Sequence, residues 1–196
     1  TYTVRNGIYI NLTNRCTNRC TFCIRNEGAG VYGSDSLWLD REPTAKEVLD
    51  DLGKYDFSKY NEVVFCGYGE PTIRIEELCE VARGIKAMCS LPIRINTNGQ
   101  GNLIHGRDIT PMFEGIVDIV SISMNTADAE SYAEVCKPAY GEAAYQAVLD
   151  FGLCASKHVP EVIFSVVRTT IPDEDIEKCR VLAEKYGGKL RVRELD

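Results

Sequence analysis

The chain has 196 residues, 44% hydrophobic and 26% charged, a balance that sustains one globular core and argues against disorder. No apolar run reaches the ~20 residues of a membrane-spanning helix, and Thr1-Tyr2-Thr3-Val4-Arg5-Asn6 lacks the charged-then-apolar plan of a secretion signal, so a cytoplasmic protein without a membrane partner is expected. A formal net charge of -7 disfavours diffuse nucleic-acid binding, while nine cysteines, an odd number, point to metal or redox use rather than a disulfide framework.

Short β-branched or apolar runs alternate with segments of helical period. The first strand is expected over 7–13, and Cys16, Cys20 and Cys23 follow it directly. An irregular stretch over 24–42 leads to Thr44-Ala45-Lys46-Glu47, a capping box after Pro43 that opens a helix. A strand over 62–67 runs into Cys66-Gly67-Tyr68-Gly69-Glu70-Pro71, and Ile75, Leu78, Ala82, Ile85 and Cys89 then form an apolar helical stripe. Strands over 92–98, 117–125, 161–168 and 190–195 complete the series, the last preceded by a helix that opens at Asp173 and closes at Gly187-Gly188. No repeat, low-complexity tract or domain-sized linker breaks this order, so residues 1–196 read as one domain without an auxiliary-cluster domain.

Alternating strands and helices imply a parallel sheet covered by helices. A complete eight-fold βα barrel needs about 250 residues and eight strands; six are legible here. The expected fold is therefore α/β, a partial (β/α)6 TIM-like barrel with a parallel six-stranded sheet and outer helices. Within the strands, Tyr9, Asn11 and Thr13 oppose Ile8, Ile10 and Leu12, and Arg94, Asn96 and Asn98 oppose Ile93 and Ile95. Ser121, Ser123 and Asn125 likewise oppose Val120, Ile122 and Met124, and Arg191 and Arg193 oppose Leu190 and Val192. Helices must cover the apolar faces, so the polar rows should line a wet interior channel.

Cys16, Cys20 and Cys23 make a C-x-x-x-C-x-x-C spacing in the loop after the first strand, where ligands gather in parallel-sheet folds. A structural zinc site closes with four protein ligands, and no fourth cysteine or histidine lies near the triplet in sequence. Three thiolates on an iron–sulfur cubane leave one iron free to chelate a small molecule. Arg15, Arg19 and Arg25 surround the triplet with positive charge. Cys79, Cys89, Cys154 and Cys179 fall at apolar positions of the helical segments and read as small buried hydrophobes.

With Phe22 before its last cysteine, the triplet resembles the signature of the radical S-adenosylmethionine (SAM) superfamily. Tyr68-Gly69-Glu70-Pro71 is similar to that family's Gly-Gly-Glu-Pro segment, with Tyr68 in place of the first glycine; Ser123-Met124-Asn125 matches its ribose-binding Ser-x-Asp/Asn; and Thr97-Asn98-Gly99 is common in it. The resemblance implies a [4Fe-4S] cluster held by Cys16, Cys20 and Cys23, with SAM contacted by Phe22, Tyr68, Gly69, Glu70, Pro71, Asn98, Ser123 and Asn125. It further implies reductive cleavage of SAM to methionine and a 5'-deoxyadenosyl radical that takes hydrogen from a substrate, with electrons from a flavodoxin- or ferredoxin-type donor. More narrowly, the runs 65–72, 94–99 and 102–108 resemble the short radical SAM proteins associated with TatD-type nucleases, a likeness that names no substrate.

Arg168, at the end of the fifth expected strand, suits the SAM carboxylate or else a surface ion pair. His105, Arg107, Cys66 and Cys136 stand in loops at the presumed reactive edge and are the candidates for catalytic contact. The sixth strand ends the series with little chain to cap the channel, so a large substrate or a partner protein is expected to close it, and inward arginines favour anionic groups. Two rival readings are an activase that places a glycyl radical on a protein partner, and a non-catalytic iron–sulfur or zinc module for electron transfer or interaction.

Overall fold

A computed structural model describes residues 1–26 and 36–194. The middle of the expected irregular stretch, 27–35, and the last position of the expected strand 190–195 lie outside the described residues.

Among the described residues, seven strands form a single open sheet in chain order, β1 (Tyr2–Val4), β2 (Gly7–Ile10), β3 (Glu62–Phe65), β4 (Ile93–Thr97), β5 (Ile119–Ser123), β6 (Glu161–Val167) and β7 (Lys189–Arg193). All neighbours from β2 to β7 pair in parallel, and β7 does not pair with β1. The six parallel strands are those expected, and the partial barrel is confirmed. The strand β1 is an addition: it pairs antiparallel with β2 through a two-residue turn in which Arg5 takes φ 50°, followed by Asn6-Gly7. Three residues are too few for an alternation pattern to register, although an Asn-Gly step is a hairpin signal.

The helices α1 (Ala45–Leu52), α2 (Ile75–Met88), α3 (Gly101–His105), α4 (Ala129–Cys136), α5 (Ala143–Ala155) and α6 (Asp173–Lys185) fill the crossovers. At α1 the capping box is present, with Thr44 and Glu47 each bonded to the other's backbone. Ile8, Ile10, Ile93, Ile95, Val120, Ile122, Phe164 and Val166 are buried in one core with Leu78, Ile85, Val148 and Phe151 of the helices. Right-handed crossovers place every helix of such a sequentially ordered sheet on one side, and burial of these alternate positions follows.

Register aligns the opposite, inward positions into rows. Tyr9, Val64, Arg94, Ile119 and Glu161 form one row, Asn96, Ser121, Ile163 and Lys189 the next, and Ser123, Ser165 and Arg191 a third toward the strand ends. The inward face is thus polar as expected, but mixed with Val64, Ile119 and Ile163. Arg94 does not stand open in it: the guanidinium is held by Glu62 at 2.6 and 2.9 Å and also donates to Asn96 at 2.9 Å.

Candidate cluster and cofactor site

The cysteine loop leaves β2 and is braced from three sides at the carboxyl ends of the strands. Thr13 Oγ1 donates to Glu42 at 2.6 Å, and Arg15 grips the same carboxylate at 2.7 and 3.0 Å. The loop after β3 nests beneath: Glu70 N–H donates to the Arg15 carbonyl at 2.7 Å, and a Cβ on Gly69 would stand 2.2 Å from the Thr13 carbonyl. Only glycine lets these two backbones approach so closely. On the third side, Arg19 N–H donates to Cys136 O at 3.0 Å and Thr21 N–H to Val135 O at 2.9 Å, which ties the loop to the end of α4.

Under the loop lies a polar network that the sequence gives no hint of. Gln100, fully buried, accepts from Thr17 Oγ1 at 2.7 Å and donates to Asn18 Oδ1 at 2.8 Å and Tyr132 OH at 3.1 Å. Asn98 Nδ2 donates to Thr17 at 2.8 Å, and Asn18 Nδ2 to Tyr132 at 3.0 Å. A satisfied buried network of this kind fixes one loop conformation.

Glu70 is the second clamp. Its carboxylate accepts from Thr72 N–H and Oγ1 at 3.0 and 2.6 Å, Thr97 Oγ1 at 2.7 Å and Asn98 N–H at 2.6 Å, joining the ends of β3 and β4. Burial pushes this carboxyl above its ordinary range, against the four donors that favour the charged form. The resemblance gives Glu70 to SAM contact; here four donors already occupy its carboxylate.

The sulfurs have distinct surroundings. Cys16 accepts from Asn18 N–H at 3.4 Å and faces Asn98 Nδ2 at 3.8 Å; burial, then the Glu70 charge, push its thiol up to about 11. Cys23 opens the turn Ile24–Asn26, its N–H donating to Cys20 O at 3.2 Å. The neighbouring Cys136, then burial, push the Cys20 thiol up, and the buried Cys136 sulfur accepts from Asn125 Nδ2 at 3.3 Å. The fold thus brings a fourth sulfur, distant in sequence, beside the triplet. Among the described residues, no three His, Cys, Asp or Glu side chains gather tightly enough to share one metal ion. A cubane takes each thiolate on a different iron and asks for a wider trio than a zinc ion does.

Beyond β5 the chain turns sharply, with Met124 and Asn125 both donating N–H to Ser165 O at 3.0 and 3.1 Å and Asn125 at φ 65°. Asparagine tolerates this left-handed conformation better than most residues. The Asn125 Oδ1 is buried with no hydrogen-bond partner, an arrangement that folded proteins avoid unless a ligand or water completes it. Ser123 is half-buried on the preceding inward position. Phe22 is half-buried in the cysteine loop, and Pro71 is buried at the start of the turn Pro71–Arg74. Tyr68 is buried against Trp38, ring centroids 4.9 Å apart, and Arg25 reaches its carbonyl at 3.5 Å. The three thiols in a basic, braced loop and the orphaned Asn125 oxygen fit a cluster with a bound nucleoside.

The remaining candidates are placed differently. Cys66 is half-buried at the end of β3, where its carbonyl accepts from Tyr2 OH at 3.1 Å. His105 Nε2 is 2.7 Å from the Thr72 carbonyl, and Arg107 is 3.6 Å from Glu76 of α2, so both brace the helical layer. Arg168 is exposed and paired with Glu194 at 2.9 Å and Asp173 at 3.2 Å.

The chain belongs to the radical SAM superfamily, whose family description matches residues 10–183. It is 27% identical over 162 residues to a GTP 3',8-cyclase of Lactiplantibacillus plantarum, covering 82% of this chain and 45% of that protein. A GTP 3',8-cyclase of Corynebacterium glutamicum is 29% identical over 200 residues, covering 97% of this chain and 49% of that protein. The chain thus spans about half the length of the curated relatives it matches. Streptococcus suis SuiB bound to S-adenosylmethionine shares the fold, with a TM-score of 0.71 at 14% identity over 97% of this chain and 39% of that one. The hydrogenase maturase HydG of Carboxydothermus hydrogenoformans gives a TM-score of 0.66 at 15% identity, over 97% and 44%. The superfamily uses a [4Fe-4S] cluster and SAM. No helix among the described residues is long and apolar enough to cross a membrane.

Proposed function

We propose that this chain is the catalytic core of a radical SAM enzyme in which Cys16, Cys20 and Cys23 hold the [4Fe-4S] cluster. When bound, cluster and SAM supply reductive cleavage of the sulfonium, yielding methionine and a 5'-deoxyadenosyl radical that takes hydrogen from a substrate. The observation that carries this reading is the buried, unpartnered Asn125 oxygen, on a side chain that also touches Cys136 beside the cysteine loop.

The chain's own residues divide the work. Asn125 Oδ1 and the Ser123 hydroxyl accept from the ribose hydroxyls, and backbone carbonyls of 68–70 receive the SAM ammonium. Glu70 holds that segment against Asn98, and Phe22 and Pro71 wall the pocket. Arg168 reaches the SAM carboxylate only by exchanging Asp173 or Glu194 for it. N–H groups of Asn18 and Asn98 around Cys16 favour its thiolate form. Arg191, inward on β7 without a described partner, favours an anionic group on the substrate. The motif runs 65–72 and 94–99 support a place among the TatD-associated members, the composition supports a cytoplasmic enzyme, and the family resemblance supports a flavodoxin- or ferredoxin-type donor.

Anaerobic reconstitution with iron and sulfide, then SAM and dithionite, tests this. Wild type is expected to release 5'-deoxyadenosine by chromatography and Cys20→Ala none, with GTP, which names the relatives' activity, as the first substrate offered. Stoichiometric zinc with no iron and no 5'-deoxyadenosine would overturn the assignment.

A further inference from the structure

Cys136 is the one sulfur at the site that the radical chemistry leaves without a task. Three backbone hydrogen bonds lay the cysteine loop along the end of α4: Ala139 N–H to Thr17 O at 2.8 Å, Arg19 N–H to Cys136 O at 3.0 Å and Thr21 N–H to Val135 O at 2.9 Å. Cys20 lies between the second and third of these. Hydrogen bonds on both sides of Cys20 bring its backbone alongside that of Cys136, and a disulfide spans Cα separations of about 4.4–6.8 Å. The two thiols are also close enough to act on each other: the neighbouring Cys136 pushes the Cys20 thiol up, and Cys20 in turn lowers Cys136. Cys136 is fully buried and its sulfur accepts from Asn125, whereas the Cys16 sulfur accepts from Asn18 and Asn98.

We infer that Cys20 and Cys136 form a disulfide when the cluster is absent, so that thiol oxidation and cluster occupancy exclude each other at Cys20. The pairing stands on the geometry alone; the exclusion rests on Cys20 being a cluster ligand, as proposed above. The oxidant is a low-molecular-weight disulfide such as oxidised glutathione. Cys20, partly exposed, attacks one glutathione sulfur and releases the first glutathione thiol, which carries off the Cys20 proton. The Cys136 sulfur then attacks the Cys20 sulfur, the mixed disulfide breaks, and the second glutathione leaves with the Cys136 proton. Two protein thiols are oxidised to one disulfide and one glutathione disulfide is reduced to two thiols. A sulfur locked in that bond cannot ligate iron, and a reductant restores it before the irreversible oxidation steps are reached.

The test maps cysteine pairing in the cluster-free full chain after anaerobic treatment with oxidised glutathione, alkylation of free thiols and mass spectrometry of the digest. The expected result is a Cys20–Cys136 linked peptide in most chains, with Cys16 and Cys23 alkylated. Iron uptake should then be lost until dithiothreitol is added. In Cys136→Ala, a glutathione adduct on Cys20 should accumulate because the resolving sulfur is gone. Links confined to the triplet, or Cys136 alkylated throughout, would overturn the inference. If the linked peptide forms but the reduced protein takes up no cluster, the cluster-ligand reading fails and the thiol pair stands.

Discussion

On its outward face the sheet presents Ile8, Ile10, Ile93, Ile95, Val120, Ile122 and Phe164, all buried against helices; on its inward face the neighbouring positions are Tyr9, Asn11, Arg94, Asn96, Ser121, Ser123 and Ser165. Period-two alternation lets one set of strands meet two demands. Outward residues contribute by removing apolar surface from water, about 25 cal/mol per Å², and tolerate little change of volume. Val64, Ile119 and Ile163 apart, the inward residues named above are polar, and buried polar groups there find partners: Glu62 for Arg94 and the Leu37 carbonyl for Asn11, while Asn125 Oδ1, just past β5, has none among the described residues. Stability is concentrated on one face and chemistry on the other.

Perturbing the faces separately should show this. The largest loss is expected outward: Phe164 packs its ring on Gly152 and Gly188, and Phe164→Ala should cost about 3–5 kcal/mol in urea unfolding. Next is Glu70→Gln, which turns an amide N–H toward one of the four donors that the carboxylate accepts; about 2–4 kcal/mol is expected, with amide exchange fastest in the loops after β3 and β4. Inward, Arg94→Met should cost less than the about 3–5 kcal/mol of a fully buried pair, because Glu62 reaches solvent, and Glu62→Leu added to it should recover most of the loss. Smallest is Arg168→Gln, which removes two exposed ion pairs and should leave the melting temperature unchanged. A loss on Arg94→Met equal to that on Phe164→Ala would erase the distinction between the faces.

The alternation itself was legible in the sequence, since Ser121-Ile122-Ser123-Met124 and Arg94-Ile95-Asn96 each carry their parity in adjacent residues. So was the cysteine triplet, a local spacing. Contacts between distant segments were not. Gln100 and Tyr132 meet Asn18 only because β4 and β5 bring their loops to one edge, and Cys136 reaches Cys20 by the same route. His105, Arg107 and Arg168 follow strands, as site residues do, yet position along the chain does not fix direction. A helix-layer carbonyl and surface carboxylates hold them.

Three protein thiolates should leave one iron of the cluster for SAM, and the direct measurement of this is electron paramagnetic resonance of the reconstituted, dithionite-reduced protein with and without SAM. A cluster signal whose g values shift on adding SAM, and shift less in Asn125→Ala, is the predicted result. A signal that SAM leaves unchanged in the wild-type protein would contradict it.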